Sequence, residues 1–129
     1  MTNPKKTVAV VGASKNRSKY GNKAVRAYLA EGWEVYPVHP EAEEIEGIRC
    51  YRSVKDIPVP LDRVAMYVPP EVGLRLLPEI AEKHPGELWL NPGSESPELV
   101  ERATALGLQP IQGCAILGVG RRPAEFSDV

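Results

Sequence analysis

A small polar loop with several basic side chains is the part of this sequence best suited to chemistry. An apolar run at 8–11 ends at Gly12, and Ala13 and Ser14 follow it. Three cations come next: Lys15, Arg17 and Lys19. Gly12 lets the backbone approach a ligand, Ser14 has a hydroxyl to donate, and a helix that starts after the loop turns main-chain amides outward. The segment therefore predicts an anion site that holds phosphate.

Two common nucleotide-binding motifs are absent from this loop. The next glycine after Gly12 is Gly21, so the spacing is not the G-x-G-x-x-G of dinucleotide-binding proteins. The second predicted strand ends in His39-Pro40 instead of an acid that would bind a ribose hydroxyl. No G-K-[ST] occurs, which excludes a Walker-type loop. The pattern disfavours an ordinary NAD(P) site.

The charge distribution favours a small anionic ligand over a polyanion. The net charge is only −1, which argues against nucleic acid as a partner. Residues 1–30 nevertheless contain seven basic side chains and no acid, whereas residues 31–50 contain six glutamates and one arginine. A solvated basic helix face would give the same local excess, so the charges alone leave both interpretations open.

The chain length of 129 residues predicts one domain, 1–129. Cys50 and Cys114 are too far apart in sequence to form a metal pair, and they indicate a reduced, cytoplasmic setting. The apolar run after Lys5 and Lys6 is too short for a signal peptide, and no stretch is long enough to cross a bilayer. We expect no membrane partner.

Strands and helices alternate along the chain. Apolar runs predict five main strands and a short one at 48–51; the main strands are 6–12, 33–38, 63–68, 87–90 and 108–112. Helical spacing predicts helices at 18–31, 71–83 and 96–107. Ser18 is the predicted N-cap of the first helix, and Ser96 that of the third. Pro78 predicts a break in the second helix, and 41–47 predicts an acidic connection with one short helical turn.

This alternation predicts a three-layer α/β fold, a Rossmann-like doubly wound parallel sheet of about five strands. The expected strand order is 3-2-1-4-5, and the chief alternative is 2-1-3-4-5. Ligands bind such sheets beyond the carboxyl ends of the strands. Four of those ends are rich in glycine and proline, which suits a rigid rim for a flat ligand: Gly12-Ala13-Ser14, Val38-His39-Pro40, Val68-Pro69-Pro70 and Asn91-Pro92-Gly93.

The ordered set of motifs resembles the CoA-binding domain family, a small Rossmann-like module that also forms the N-terminal part of the succinyl-CoA synthetase α subunit. The resemblance covers about residues 6–118 and rests on VAVVGAS at 8–14, VYPVHP at 35–40, YVPP at 67–70, WLNPG at 89–93 and GC at 113–114. Three glutamates follow Pro40, where the family often has a basic residue: Glu41, Glu43 and Glu44. The second domain of the synthetase, with its phosphorylated histidine, has no counterpart in this sequence.

The resemblance also implies a ligand and the residues that bind it. The CoA phosphates would meet the first loop: Gly12, Ala13, Ser14, Lys15, Arg17, Ser18 and Lys19. The nucleotide end would be lined by Val38, His39 and Pro40. Adenine or pantetheine would pack near Tyr67, Val68, Pro69 and Pro70. The pantetheine arm would pass Asn91, Pro92 and Gly93.

The resemblance thus implies a stand-alone protein that binds CoA or acyl-CoA, working as a monomer or a homodimer. No catalytic constellation and no metal-ligand cluster is evident in the sequence, so we expect a non-catalytic role. Cys114, at the end of the last strand, either forms a mixed disulfide with CoA or is a small buried residue, which we favour. The alternatives are a nicotinamide-dependent reductase and a subunit of an acyl-CoA ligase that needs a partner.

Overall fold

The computed structural model describes residues 5–129 and contains one five-stranded parallel sheet with helices on both faces. The sheet strands are β1 (Thr7–Val11), β2 (Glu34–Val38), β5 (Arg63–Met66), β6 (Glu87–Leu90) and β7 (Pro110–Gln112). A separate hairpin is formed by β3 (Glu44–Ile45) and β4 (Ile48–Arg49). The helices are α1 (Tyr20–Ala30), α2 (Pro70–Glu82) and α3 (Pro97–Ala105). The predicted doubly wound α/β class is confirmed.

The strand order across the sheet is β2-β1-β5-β6-β7. Counted along the chain, the five full strands therefore follow the alternative order, 2-1-3-4-5, and not the expected 3-2-1-4-5. Tyr51 lies beside the outer edge of β2, where it forms one isolated parallel bridge with Val38. The predicted short strand at 48–51 thus contributes a single bridge here, while its first half pairs with β3.

Pro37 explains why no full strand forms outside β2. Its carbonyl accepts a hydrogen bond from the Tyr51 amide at 2.8 Å, and the His39 amide donates to the Tyr51 carbonyl at 2.9 Å. The backbone nitrogen and oxygen of a strand residue point to the same side of the strand. The nitrogen of Pro37 therefore also faces the outer edge, where it has no proton to donate. A longer strand would leave a carbonyl unpaired there.

Two apolar clusters cover the two faces of the sheet. On one face, alternate residues such as Ala9, Val64 and Leu88 pack against α2 and α3. On the other face, the intervening residues pack against α1 and the segment at 114–126. Continuous burial along β1 follows from this double cover, as the uninterrupted apolar sequence predicts.

Three local expectations were wrong. Ser18 does not cap α1, because its hydroxyl and amide both donate to Asn16. Pro78 does not break α2, which continues through it, and the proline lies on the exposed side of the helix. The acidic connection is the β3–β4 hairpin, whose two-residue turn has positive φ at both Glu46 and Gly47. The Ser96 cap with Pro97 in the first turn of α3 is confirmed.

The amino end of the sheet is held by Arg63, which lies between two indole rings. Its guanidinium is 4.9 Å from the ring centroids of both Trp33 and Trp89. It also pairs with the Glu87 carboxylate at 2.8 Å and donates to the Tyr28 hydroxyl at 3.1 Å. These contacts join α1, β5 and β6 at the end of the sheet opposite the carboxyl ends of the strands.

This cluster makes stability depend on pH through Glu87. Burial disfavours its charged form, but hydrogen bonds from Trp89 and Arg63 outweigh this, so the pKa of Glu87 lies below its ordinary value. The resulting stabilisation is complete above the ordinary pKa of about 4.3 and is lost as the pH falls through the lower folded pKa. We therefore expect Glu87→Gln to reduce the free energy of unfolding more at pH 7 than at pH 3.

Urea unfolding of the wild type and Glu87→Gln at the two pH values measures this difference. Glu98→Gln is the matched control, because it removes the same charge from an exposed pair with Arg102 on α3. A cost of Glu87→Gln that is equal at both pH values would contradict the assignment.

Candidate functional site

A cleft of about 600 Å³ crosses the carboxyl ends of the strands, and we refer to it as the main cleft. Eleven predicted site residues line it: Gly12, Ala13, Ser14, Lys19, His39, Pro40, Tyr67, Val68, Pro69, Pro92 and Gly93. Four lining residues were missed from the sequence: Tyr20, Gly21, Val72 and Ser94. The first two begin α1, so the available signal was a glycine followed by apolar residues at helical spacing.

Two smaller apolar pockets adjoin the main cleft. The first, the valine pocket, has about 160 Å³ and shares Gly12, Pro40, Val68 and Val72 with the main cleft. The second, the tyrosine pocket, has about 200 Å³ and shares Tyr20, Tyr67 and Pro92 with it. Val38 lines the valine pocket, and Asn91 and Cys114 line the tyrosine pocket. The strand ends thus form one continuous concave edge.

Glycines allow the first loop to lie against both neighbouring elements. Gly12 has φ +93, and a Cβ there would come within 2.9 Å of the Tyr67 backbone. A Cβ on Gly21 would overlap the carbonyl oxygen of Gly12. The loop after β1 is therefore packed between the start of α1 and the end of β5 with no room for a side chain at either position.

Hydrogen bonds within the protein limit which groups of this loop can meet a ligand. The amides of Gly12 and Ala13 both donate to the Val38 carbonyl, at 3.1 and 3.3 Å, so they are engaged within the protein. The Ser14 hydroxyl oxygen accepts from the Asn16 amide at 3.0 Å, which leaves its proton to donate. The first amides of a helix have no intrahelical acceptor, and Tyr20 and Gly21 line the cleft. The donors of this loop that can meet an anion are therefore the Ser14 hydroxyl and the first amides of α1.

A buried asparagine fixes the loop from below. Asn22 is fully buried, and its side-chain amide donates to the Ser14 carbonyl at 2.9 Å and to the Glu46 carboxylate at 3.0 Å. Its carbonyl oxygen accepts from Arg26 at 2.8 Å. Holding the Ser14 carbonyl inward fixes the orientation of the following peptide. No sequence motif indicated this residue, because its partners come from the hairpin and the next turn of α1.

The three predicted cations of the loop do not lie together. Lys19 lines the main cleft and forms no ion pair with any residue in 5–129. Arg17 instead lies 3.4 Å from the Glu46 carboxylate and donates to the main-chain oxygen of Val129 at 2.9 Å. Lys15 is exposed and lines none of the three pockets. Of these three cations, Lys19 is therefore the one that brings its charge to the main cleft.

Two other predicted residues also lie outside the three pockets. Ser18 is held by Asn16, as described above. Pro70 is the first residue of α2, where its lack of an amide proton costs no helical hydrogen bond. Pro69, immediately before it, does line the cleft.

His39 closes β2 in a fixed tautomer. Its Nδ1 accepts from the amides of Glu41 and Ala42, at 3.0 and 3.1 Å. An acceptor at Nδ1 places the proton of the neutral ring on Nε2. The ring lines the main cleft, so it presents a hydrogen-bond donor there.

Asn91 is held by hydrogen bonds within the protein. It is 2% exposed, its Nδ2 donates to the Met66 carbonyl at 2.8 Å, and its Oδ1 accepts from the Ala115 amide at 2.7 Å. Both polar atoms of the side chain are therefore engaged within the protein. The residue joins the ends of β5 and β6 to the segment after β7 and so shapes the tyrosine pocket.

The described residues contain no group of three or more His, Cys, Asp or Glu side chains that could hold a metal ion. Among residues 5–129, no helix is long and apolar enough to cross a membrane. The main cleft offers a ligand hydrogen-bond donors, one lysine charge and apolar walls.

Comparison with known proteins agrees with this geometry. The sequence profile of a family described as "CoA binding domain" matches residues 6–120. The acetate–CoA ligase (ADP-forming) I subunit alpha of Pyrococcus furiosus is 33% identical over 142 residues, an alignment that covers 97% of this chain and 30% of the subunit. This chain spans less than a third of the length of that ligase subunit.

Solved structures show the same fold. A conserved hypothetical protein from Pyrococcus furiosus superposes with a TM-score of 0.79 at 40% identity, covering 88% of this chain and 98% of that one. A dinucleotide-forming acetyl-coenzyme A synthetase from Ca. Korarchaeum cryptofilum, solved with phosphate and ADP, gives a TM-score of 0.73 at 32% identity. That match covers 82% of this chain and 25% of the synthetase.

Proposed function

Because this chain belongs to the family of CoA-binding domains, we propose that it binds coenzyme A or an acyl-CoA without itself catalysing a reaction. The phosphates bind at Ser14, Lys19 and the first turn of α1. One end of the ligand occupies the valine pocket and the other end extends toward the tyrosine pocket. This orientation follows from where the polar and apolar groups lie along the concave edge.

The observation that carries this proposal is the order of the pockets along the strand ends. A polar cleft with one uncompensated lysine lies between two narrow apolar pockets. CoA has the same sequence of groups: a flat adenine ring, charged phosphates and a long arm that ends in a thiol. The valine pocket is walled by aliphatic side chains such as Val54 and Leu76, which suits the flat ring.

Lys19 provides the sharpest test of the phosphate position. A charge-assisted hydrogen bond to phosphate contributes about 1.5–3 kcal/mol, so we expect Lys19→Ala to weaken CoA binding at least about tenfold at low salt. Arg17→Ala removes the same charge from the same loop, but Arg17 is held by Glu46 and the main chain of Val129. We expect it to change the affinity by less than about twofold.

Isothermal titration with CoA, acetyl-CoA, NAD and NADP measures these affinities. The absence of heat with any CoA species at millimolar concentration would overturn the proposed function. A larger loss with Arg17→Ala than with Lys19→Ala would keep CoA binding but contradict the assigned phosphate position.

A second candidate function is that of the CoA-binding part of a ligase that works with another chain. The match to a ligase alpha subunit over 97% of this chain favours it. Purification under native conditions distinguishes the two. A bound partner chain that adds ADP-forming acyl-CoA synthesis supports the ligase role, whereas a chain that binds CoA and purifies alone supports the binding protein.

A further inference from the structure

The end of β2 brings a histidine and an acidic segment to the proposed phosphate site. His39 lines the main cleft together with Ser14 and Lys19. Three glutamates follow it closely in the chain: Glu41, Glu43 and Glu44. Carboxylates beside a bound phosphate would weaken its binding, because like charges repel. A phosphate site in this cleft therefore requires that the three carboxylates stay away from it.

A turn held by His39 keeps those carboxylates out of the cleft. Its Nδ1 accepts from the amides of Glu41 and Ala42, at 3.0 and 3.1 Å, so the chain bends directly after β2. None of the three glutamates lines the main cleft, the valine pocket or the tyrosine pocket. All three are exposed, and Glu44 already belongs to β3. The acidic segment thus faces solvent.

The other nitrogen of the His39 ring, Nε2, is open to a ligand. It carries the proton of the neutral ring, because Nδ1 is an acceptor. Nε2 forms no hydrogen bond within the described residues, yet it is not one of the unpaired polar atoms that are shielded from solvent. Since the ring lines the main cleft, this N–H group is an accessible donor there.

We propose that His39 donates from Nε2 to a phosphate oxygen of the ligand while its Nδ1 holds the acidic segment away from that phosphate. This inference rests on the proposed function, because the phosphates must lie in the main cleft. Pro40, the next residue, borders both the main cleft and the valine pocket. With adenine in the valine pocket, the phosphate beside His39 is the 3′-phosphate of the ribose or the adjoining diphosphate.

Two substitutions of similar shape separate the roles of the two nitrogens. Asparagine keeps an acceptor near the position of Nδ1 but has no group at Nε2, whereas glutamine places an amide donor near Nε2 and loses the acceptor at Nδ1. Isothermal titration measures CoA affinity relative to the wild type at the same salt concentration. We expect His39→Asn to bind CoA at least about fivefold more weakly at low and at high salt.

His39→Gln should behave differently with salt. Without the two bonds to Nδ1, the acidic segment is free to approach the cleft and repel the phosphates. We expect a loss of about threefold at 10 mM salt and almost none at 1 M, where charges are screened beyond about 3 Å. An equal loss at both salt concentrations would contradict the role of the turn.

Dephospho-CoA, which lacks the 3′-phosphate, identifies the acceptor. If His39→Asn weakens CoA but not dephospho-CoA, the acceptor is the 3′-phosphate, and equal losses place it in the diphosphate. His84→Asn is the matched control, because it makes the same change at an exposed position after α2. It should leave both affinities unchanged.

Hydrogen exchange at the Ala42 amide shows whether the turn is intact in His39→Asn. Wild-type affinity in this variant would overturn the bond from Nε2 and leave CoA binding intact. A loss of affinity together with faster exchange at Ala42 would assign the effect to the turn and would also overturn that bond. Absence of CoA binding by the wild type would overturn the proposed function instead.

Discussion

Gly21→Ala is expected to destabilise the protein by about 3 kcal/mol and to abolish most ligand binding. The new methyl group would overlap the carbonyl oxygen of Gly12, a backbone atom that cannot rotate away. Either α1 or the loop after β1 must then shift, and overpacking of this kind costs about 1–3 kcal/mol or more. Because Ser14 and the first amides of α1 depend on that contact, CoA affinity should fall at least about tenfold.

Thermal unfolding and titration with CoA measure the two effects. We expect the unfolding midpoint of Gly21→Ala to fall by roughly 10 °C for a domain of this size. Gly113→Ala is the matched control, because its methyl group would meet only Trp89, at an ordinary 3.5 Å. A Gly21→Ala protein with wild-type stability would show that the loop does not need this close approach.

Gly12 and Gly21 show which features of the fold the sequence does predict. An apolar run that ends at a glycine, followed by helical spacing, correctly predicted a buried β1, a loop and α1. The hydrophobic periodicity and the positions of glycine and proline are local properties of the sequence, so they can be interpreted without knowing the fold. The concentration of glycine and proline at the strand ends also predicted the edge that forms the main cleft. The parallel topology then brings those ends together.

Contacts between distant segments were not predictable in this way. The Arg17 charge seemed available to a ligand, but the hairpin turn places Glu46 beside it. The segment at 48–51 forms one bridge to β2, beside Pro37, and its first half pairs with β3 instead of extending the sheet. Asn22 gave no signal at all, because its importance lies in which carbonyl it reaches. Each case depends on a partner that the topology supplies.

Asn91 allows the sequence-based and structural interpretations to be separated by experiment. The resemblance implies that Asn91 lies near the pantetheine arm, and the structure shows that both polar atoms of its side chain are bonded to backbone groups. Asn91→Ala would leave the Ala115 amide and the Met66 carbonyl buried without partners. At about 1–3 kcal/mol for each unpaired group, we expect the free energy of unfolding to fall by about 3 kcal/mol.

Hydrogen exchange at the Ala115 amide provides a local readout. In Asn91→Ala, exchange at this amide should accelerate more than exchange at the amides of β1. Gln112→Ala is the matched control, because it truncates an exposed amide side chain at the end of the neighbouring strand β7 and should change stability by less than about 0.5 kcal/mol. Wild-type stability in Asn91→Ala, combined with a loss of CoA affinity, would contradict the structural role. It would show that Asn91 contacts the ligand, as the resemblance implies. A loss of stability with faster exchange at Ala115 would instead support a structural role, in which Asn91 holds the segment after β7 in place and so shapes the tyrosine pocket.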